Sequence, residues 1–298
     1  MKTINTVAEY LEHIDSIVRI PRTTHTVGCF TFFRGQSNSS WNVSPSLFRK
    51  NLFYAENLLL TEIKHTCPSE MMDNQFDTLV KMQHYGMPTR LLDTTTNPLV
   101  ALYFACESNT EKECDGAVYA FPNMPTSWSS DALVDLIMDF VFNYYPLNVQ
   151  LDQMLELSKT KYFDEIHRLM PENIDSLLHY LTIPALAVMP AKTNPRIEAQ
   201  DGAFIIFGMQ YRDRKVSTNP GTLGKVYYNF VPTDVCTPEK IWHLAETLII
   251  PASAKDRILE QLDSIGINEG KLFPDLSHQI THTVKCVKRD MLKPKEET

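Results

Sequence analysis

A short apolar run, Thr31-Phe32-Phe33, is followed at once by Arg34-Gly35-Gln36. The run reads as a buried strand. An unpaired charge is expensive to bury, so an arginine there points to solvent, pairs with a nearby acidic side chain, or waits in a cleft for an anion. The guanidinium fork grips a carboxylate, phosphate or pyrophosphate in bidentate fashion. Gly35 lets the backbone turn sharply or lets a ligand come close. A second stretch, from Gln83 to Asp93, sets His84, Tyr85, Arg90 and Asp93 around one loop. These groups form either a polar pocket or a hydrogen-bond frame for the Met87-Pro88-Thr89 turn, with Asp93 paired to Arg90 or Arg34. His84 with Asp93 as base and orienter is a third, hydrolytic use. Thr94-Thr95-Thr96-Asn97 then precedes a predicted helix start. Free N–H groups there favour an anion or a ribose-phosphate, and simple N-capping is the commoner meaning of such a run. Glu198 and Gln200 are two residues apart before the apolar run from Ala203 to Phe207, so on an extended segment they face one side. The alternative is a solvated strand edge.

The elements that must hold these residues are mixed in order. Thr6 to Glu9 is a capping-box pattern, followed by Val7, Leu11, Ile14 and Val18 at helical spacing. A turn-rich linker is expected over Pro21 to Val27, and a first strand over Cys29 to Phe33. Helices are expected over Tyr54 to Lys64 and Asp73 to Tyr85, the second stopped by Gly86 and Pro88. Asn97-Pro98 supplies an N-cap and a first-turn proline for the next helix. Ala117 to Phe121 reads as a strand ended by Pro122. Ser130 to Tyr180 reads as helix-rich, an inserted subdomain or lid over 130–180, with a lone helical hairpin as the alternative. Strands resume at Leu186 to Met189, Ala203 to Phe207, Val226 to Val231 and Leu248 to Ile250. Ser253 to Ile265 reads as an amphipathic helix, and the charged stretch Lys285 to Thr298 as a fraying tail. Strands and helices do not alternate regularly. The expected class is therefore α+β, with a mixed or antiparallel central sheet, flanking helices and a helical insertion.

The chain has 298 residues, 43% of them hydrophobic and 21% charged, which suits a globule with a sizeable core. The net charge of -8 argues against attachment to nucleic acid by bulk charge, while leaving room for a local basic cleft. The six cysteines show neither CxxC nor Cys/His ligand spacing, so reduced thiols and no metal are expected. No signal-peptide core and no membrane-spanning run is visible, which gives a cytoplasmic, membrane-free expectation. Glycine-rich phosphate loops, HExxH helices and GxSxG elbows are absent from the sequence.

Together, Phe33-Arg34-Gly35-Gln36, Trp41 to Arg49, Gln83 to Ala105, Arg196 to Phe204 and Leu272 to Leu276 resemble an FRG domain, named for the Phe-Arg-Gly motif. The resemblance implies one FRG-type domain over 1–298. The order of motifs is also similar to that of ADP-ribosyltransferases. That similarity implies a cleft for NAD or another small nucleotide, in which Arg34 grips the ligand and Thr94, Thr95 and Thr96 shape the ribose pocket. Gly35, Gln36, His84, Tyr85, Arg90 and Asp93 would join in binding. The implied activity is ADP-ribosyl transfer or NAD glycohydrolysis in a toxin or phage-defence setting, with a protein or nucleic-acid acceptor. Gln200 stands where that superfamily carries a catalytic glutamate, and glutamine cannot supply the charge. Glu198, or Glu246 as a back-up, would substitute. Otherwise the chain is an inactive recognition module for a nucleotide, a nucleic acid or a protein.

Overall fold

Apolar runs pair into a mixed sheet whose strands do not follow chain order. The structure is a computed structural model and describes residues 2–18, 29–108, 110–143, 149–150, 152–153, 178, 181–232 and 246–292. In chain order the elements that matter begin with β1 (Lys2–Thr3), α1 (Val7–Val18), β2 (Cys29–Gln36), α2 (Ser46–Arg49), α3 (Glu56–Thr66) and α4 (Gln75–His84). They continue with β3 (Leu91–Thr95), α5 (Pro98–Cys106), β4 (Gly116–Trp128), α6 (Ala132–Asn143), β5 (Val149–Gln150) and β6 (Ala185–Met189). The remainder are α7 (Pro195–Ala199), β7 (Gly202–Phe207), β8 (Met209–Val216), β9 (Val226–Pro232), β10 (Glu246–Ile250) and α8 (Lys255–Ser264), then helices at Glu269–Leu272 and Leu276–Leu292.

The main sheet runs β1-β10-β4-β2-β3-β7-β6, and β6 returns to pair with the far end of β4. The β1–β10 and β4–β6 pairs are parallel and the others antiparallel. Five strands, β4, β2, β3, β7 and β6, therefore close into a ring. A separate sheet joins β5, β9 and β8. The class is α+β with a mixed sheet, as the order of apolar runs predicts.

Long β4 makes closure possible. Pro122 does not end it, because the strand carries a bulge there. The β2 pairing steps from Phe32↔Phe121 to Phe30↔Met124, and Asn123 takes φ 55. A proline is tolerated at a bulge because no ladder N–H is needed there. Phe32, Phe121, Ala187, Ile205 and Phe207 pack in one cluster among the ring strands. On the opposite face Phe33, Val118 and Leu248 meet Tyr10 of α1, Leu102 of α5 and Ile258 of α8.

Several boundaries depart from the sequence reading. β2 continues through Arg34 to Gln36 and does not stop at Phe33. The stretch from Lys285 to Leu292 is helical, part of Leu276–Leu292, and is no frayed tail. Its apolar residues at helical spacing, Leu276, Ile280, Val284, Val287 and Met291, are exposed, so the core does not advertise it. Of the expected insertion, α6 is a helix buried by Leu136, Phe140 and Val141, and Val149–Gln150 is a strand. The rest of the lid expectation, and the linker over Pro21 to Val27, lie outside the described residues. Among the described residues no helix is long and apolar enough to cross a membrane.

Candidate functional site

β2 pairs with β4 along its length, and β3 pairs with β7 along its own. Between them β2 and β3 share a single register pair, Phe33↔Thr95. The sheet is therefore seamed at one point and opens beside it. Arg34 stands next to that point. Its Nη1 donates to the main-chain oxygen of Asp93 at 2.7 Å, and its Nε donates to Gln36 Oε1 at 3.1 Å. The Asp93 carboxylate lies 3.9 Å away and is largely exposed, with Arg34 itself only 17% exposed. Burial lowers the Arg34 pKa, Asp93 opposes that shift, and the positive charge of Arg49 adds to it. Among the described residues Nη2 of Arg34 has no hydrogen-bond partner.

A cleft of about 390 Å³ opens here, and Arg34, His84, Asp93, Thr94, Arg196 and Gln200 all line it. Gly35 and Thr95 line it as well. α4 supplies the frame: Gln83 Nε2 donates to Asp93 Oδ1 at 2.7 Å, and Gln83 Oε1 accepts from the Thr89 hydroxyl. Hence Gln83, Asp93 and Arg34 form a hydrogen-bonded row across two strands and a helix. The three threonines divide their work. Thr95 Oγ1 donates to the Gln200 carbonyl at 2.7 Å and accepts from Asn97 N at 3.0 Å. Thr96 is tied to the Asp201 carbonyl. Thr94 is different. The residue lines the cleft, and its hydroxyl is buried with no partner among the described residues. A buried hydroxyl left unmet costs about 1–3 kcal/mol, which a ligand that meets it returns.

Other candidates sit elsewhere or do structural work. Gln36 is buried, holds Arg34 through Oε1 and donates from Nε2 to Trp41 O at 3.1 Å, so it orients the arginine. Gly35 answers to packing. A Cβ there would sit 1.9 Å from the Ala101 carbonyl oxygen of α5. Tyr85 is 77% exposed and stands edge-on to His84, off the cleft lining. Arg90 pairs with Glu56 and not with Asp93. It is fully buried against Glu56, with Nε at 2.9 and 3.0 Å from the two carboxylate oxygens. The sequence hid this pairing because Glu56 opens α3, 34 residues before Arg90 in the chain. Among the described residues His84 makes no hydrogen bond to Asp93, whose carboxylate is held by Gln83, so the base-and-orienter pair is not assembled.

Glu198 and Gln200 are not on an extended segment. Asn194 caps α7 by accepting from Arg196 N at 2.8 Å, Pro195 takes the first turn, and Gln200 is the C-cap. The Asn-Pro start is the same signal that opens α5. Helical geometry turns Glu198 outward, exposed and off the cleft lining, and Gln200 inward, where Nε2 donates to Leu272 O at 3.0 Å. Glu246 is on β10, beyond β4, bonded to His13 at 3.0 Å. Among the described residues Asp93 is the acidic one that lines the cleft. Sequence reasoning passed over Gln83 and Arg196 as site residues, although both stand inside stretches that carry the family resemblance.

The arrangement defines a mixed-sheet α+β protein with a cationic cleft at a seam between strands. Comparison with known protein families matches residues 30–114 to the FRG domain. The match holds β2, β3, α4, α5 and the Arg34–Asp93 contact; the stretches from Arg196 and from Leu272 lie outside it. No curated protein and no solved structure matches the chain.

Proposed function

We propose that the cleft binds an anionic nucleotide, NAD or a close relative, with Arg34 as the principal charge. One observation carries this reading: Arg34, with unused guanidinium donors, and Thr94, whose buried hydroxyl has no partner among the described residues, line the same cavity. Arg34 would meet a phosphate by charge-assisted hydrogen bonds, and Thr94 would gain the partner it lacks. Turnover by ADP-ribosyl transfer or NAD hydrolysis asks for a negative charge beside an oxocarbenium-like centre. Of the carboxylates considered, Asp93 is the one that reaches the cleft. Recognition without turnover is the second reading, and the outward position of Glu198 favours it.

The test is calorimetric titration of the full chain with NAD, for wild type and Arg34→Gln. Binding by wild type, weakened about tenfold or more in the variant, supports the reading, since hydrogen bonds to charged groups contribute about 1.5–3 kcal/mol. No binding by wild type sinks it. Nicotinamide release by wild type and Asp93→Asn then separates transfer from recognition.

A further inference from the structure

A second arginine lines the cleft, carried by a different element. Arg196 belongs to α7, packed beside β7, whereas Arg34 belongs to β2. Among the described residues Arg196 is in no ion pair. Its guanidinium is instead laid over the Phe273 ring, with Cζ 4.5 Å from the centroid. Phe273 is stacked on His278 at 4.5 Å and 20°, and Phe104 of the cleft wall meets it edge-on at 6.0 Å. Aromatic contact fixes a cation while leaving its N–H fork free for an anion. Gln200, the C-cap of the same helix, is tied to Leu272 O, so the Leu272–Phe273 turn braces both.

We infer that Arg196 is a second anion-binding residue of this cleft, and that the ligand class is one with linked phosphates, a diphosphate gripped by Arg34 at one end and Arg196 at the other. The inference rests on the reading of the cleft as an anion site and adds the ligand's charge pattern. Two guanidiniums carried by separate elements of one cleft, each with unused donors, suit a ligand with two linked phosphates better than a single phosphate.

Titrations of the full chain with inorganic pyrophosphate, inorganic phosphate and NAD test it, on wild type, Arg34→Gln, Arg196→Gln and Phe273→Leu. Arg196→Gln is expected to weaken pyrophosphate about tenfold and phosphate far less, on the scale of one lost charge-assisted contact. Arg34→Gln should weaken both anions. Phe273→Leu keeps every charge but unseats the guanidinium, and should weaken pyrophosphate in the same direction; it decides the matter if Arg196→Gln does not fold. Pyrophosphate affinity unchanged in Arg196→Gln, or equally weakened phosphate and pyrophosphate, overturns the inference and leaves the nucleotide reading standing. Wild type that needs both arginines for pyrophosphate but does not bind NAD keeps the inference and removes the nucleotide. Wild type that binds none of the three overturns both.

Discussion

Arg34 and Asp93 belong to adjacent strands that do not pair at either residue, yet the guanidinium of one donates to the main-chain carbonyl of the other at 2.7 Å. A side chain here does what a backbone ladder does elsewhere. It spans a gap that the two strands leave open, and the same opening is the cleft.

Thr94→Val should make the protein more stable and bind its ligand less well. The substitution keeps the shape and removes a buried hydroxyl that has no partner. Relief of that group is expected to be about 1 kcal/mol, read as a rise in the urea midpoint with the slope unchanged. A loss of stability would show that the hydroxyl is already satisfied in the free protein.

Gly35→Ala should damage the fold before it touches the site. A Cβ would meet the Ala101 carbonyl at 1.9 Å and the Ala105 nitrogen at 2.7 Å, both backbone atoms of α5 that cannot swing aside. The expected cost is about 3 kcal/mol, as for overpacking a filled interior. Thermal melts of the variant check this, and a melting temperature equal to wild type would reopen a ligand role for the glycine.

Arg90→Met alone should be far worse than Arg90→Met combined with Glu56→Leu. The pair is buried, with exposures of 1% and 5% for the two side chains, so removal of one partner strands a charge. Breaking such a pair costs about 3–5 kcal/mol, whereas an apolar replacement of both is often near neutral. A double-mutant cycle by urea denaturation measures the difference; additive losses would contradict it.

Acid should loosen the helix Leu276–Leu292 before the sheet. Burial would raise the Glu269 pKa, but its contacts with Lys285 and His278 outweigh that and hold it below the ordinary 4.5. A carboxylate depressed in the folded state adds stability above its unfolded value, and that stability is lost as pH falls through the folded one. Hydrogen-exchange protection at Leu276–Leu292, taken relative to the intrinsic rate at each pH, should therefore fall below about pH 4.5 in wild type, and already be reduced at neutral pH in Glu269→Gln. Equal protection at both pH values would exclude Glu269 as the clasp.

What the sequence discloses depends on whether the partner is local. The Asn97-Pro98 start, the α4 helix and the apolar strands are written in neighbouring residues, and all appear in the structure. β8 was not foreseen, because Met209-Gln210-Tyr211-Arg212-Asp213 alternates with charges and lies at the edge of a small sheet. That Arg34 borders a cleft was legible because a charge at the end of an apolar run is costly to bury unpaired. The role of Arg90 was not, since its partner Glu56 is 34 residues away. The placement of Glu198 failed for a different reason: Asn194-Pro195 starts a helix, and a spacing of two then points in opposite directions.

The closed ring has a bearing on what can be made in isolation. Residues 30–114 carry β2 and β3 but neither β4 nor β7, and the two strands they retain share one pair. Excised, that segment would present both strands with their hydrogen-bonding edges bare, and Gln200, Gly202 and Arg196 would be missing from the far wall. The recurrent segment is thus a panel of the vessel, and the strands that seal it come from elsewhere in the chain. Expressed alone it should give the circular dichroism of an unfolded or aggregated peptide.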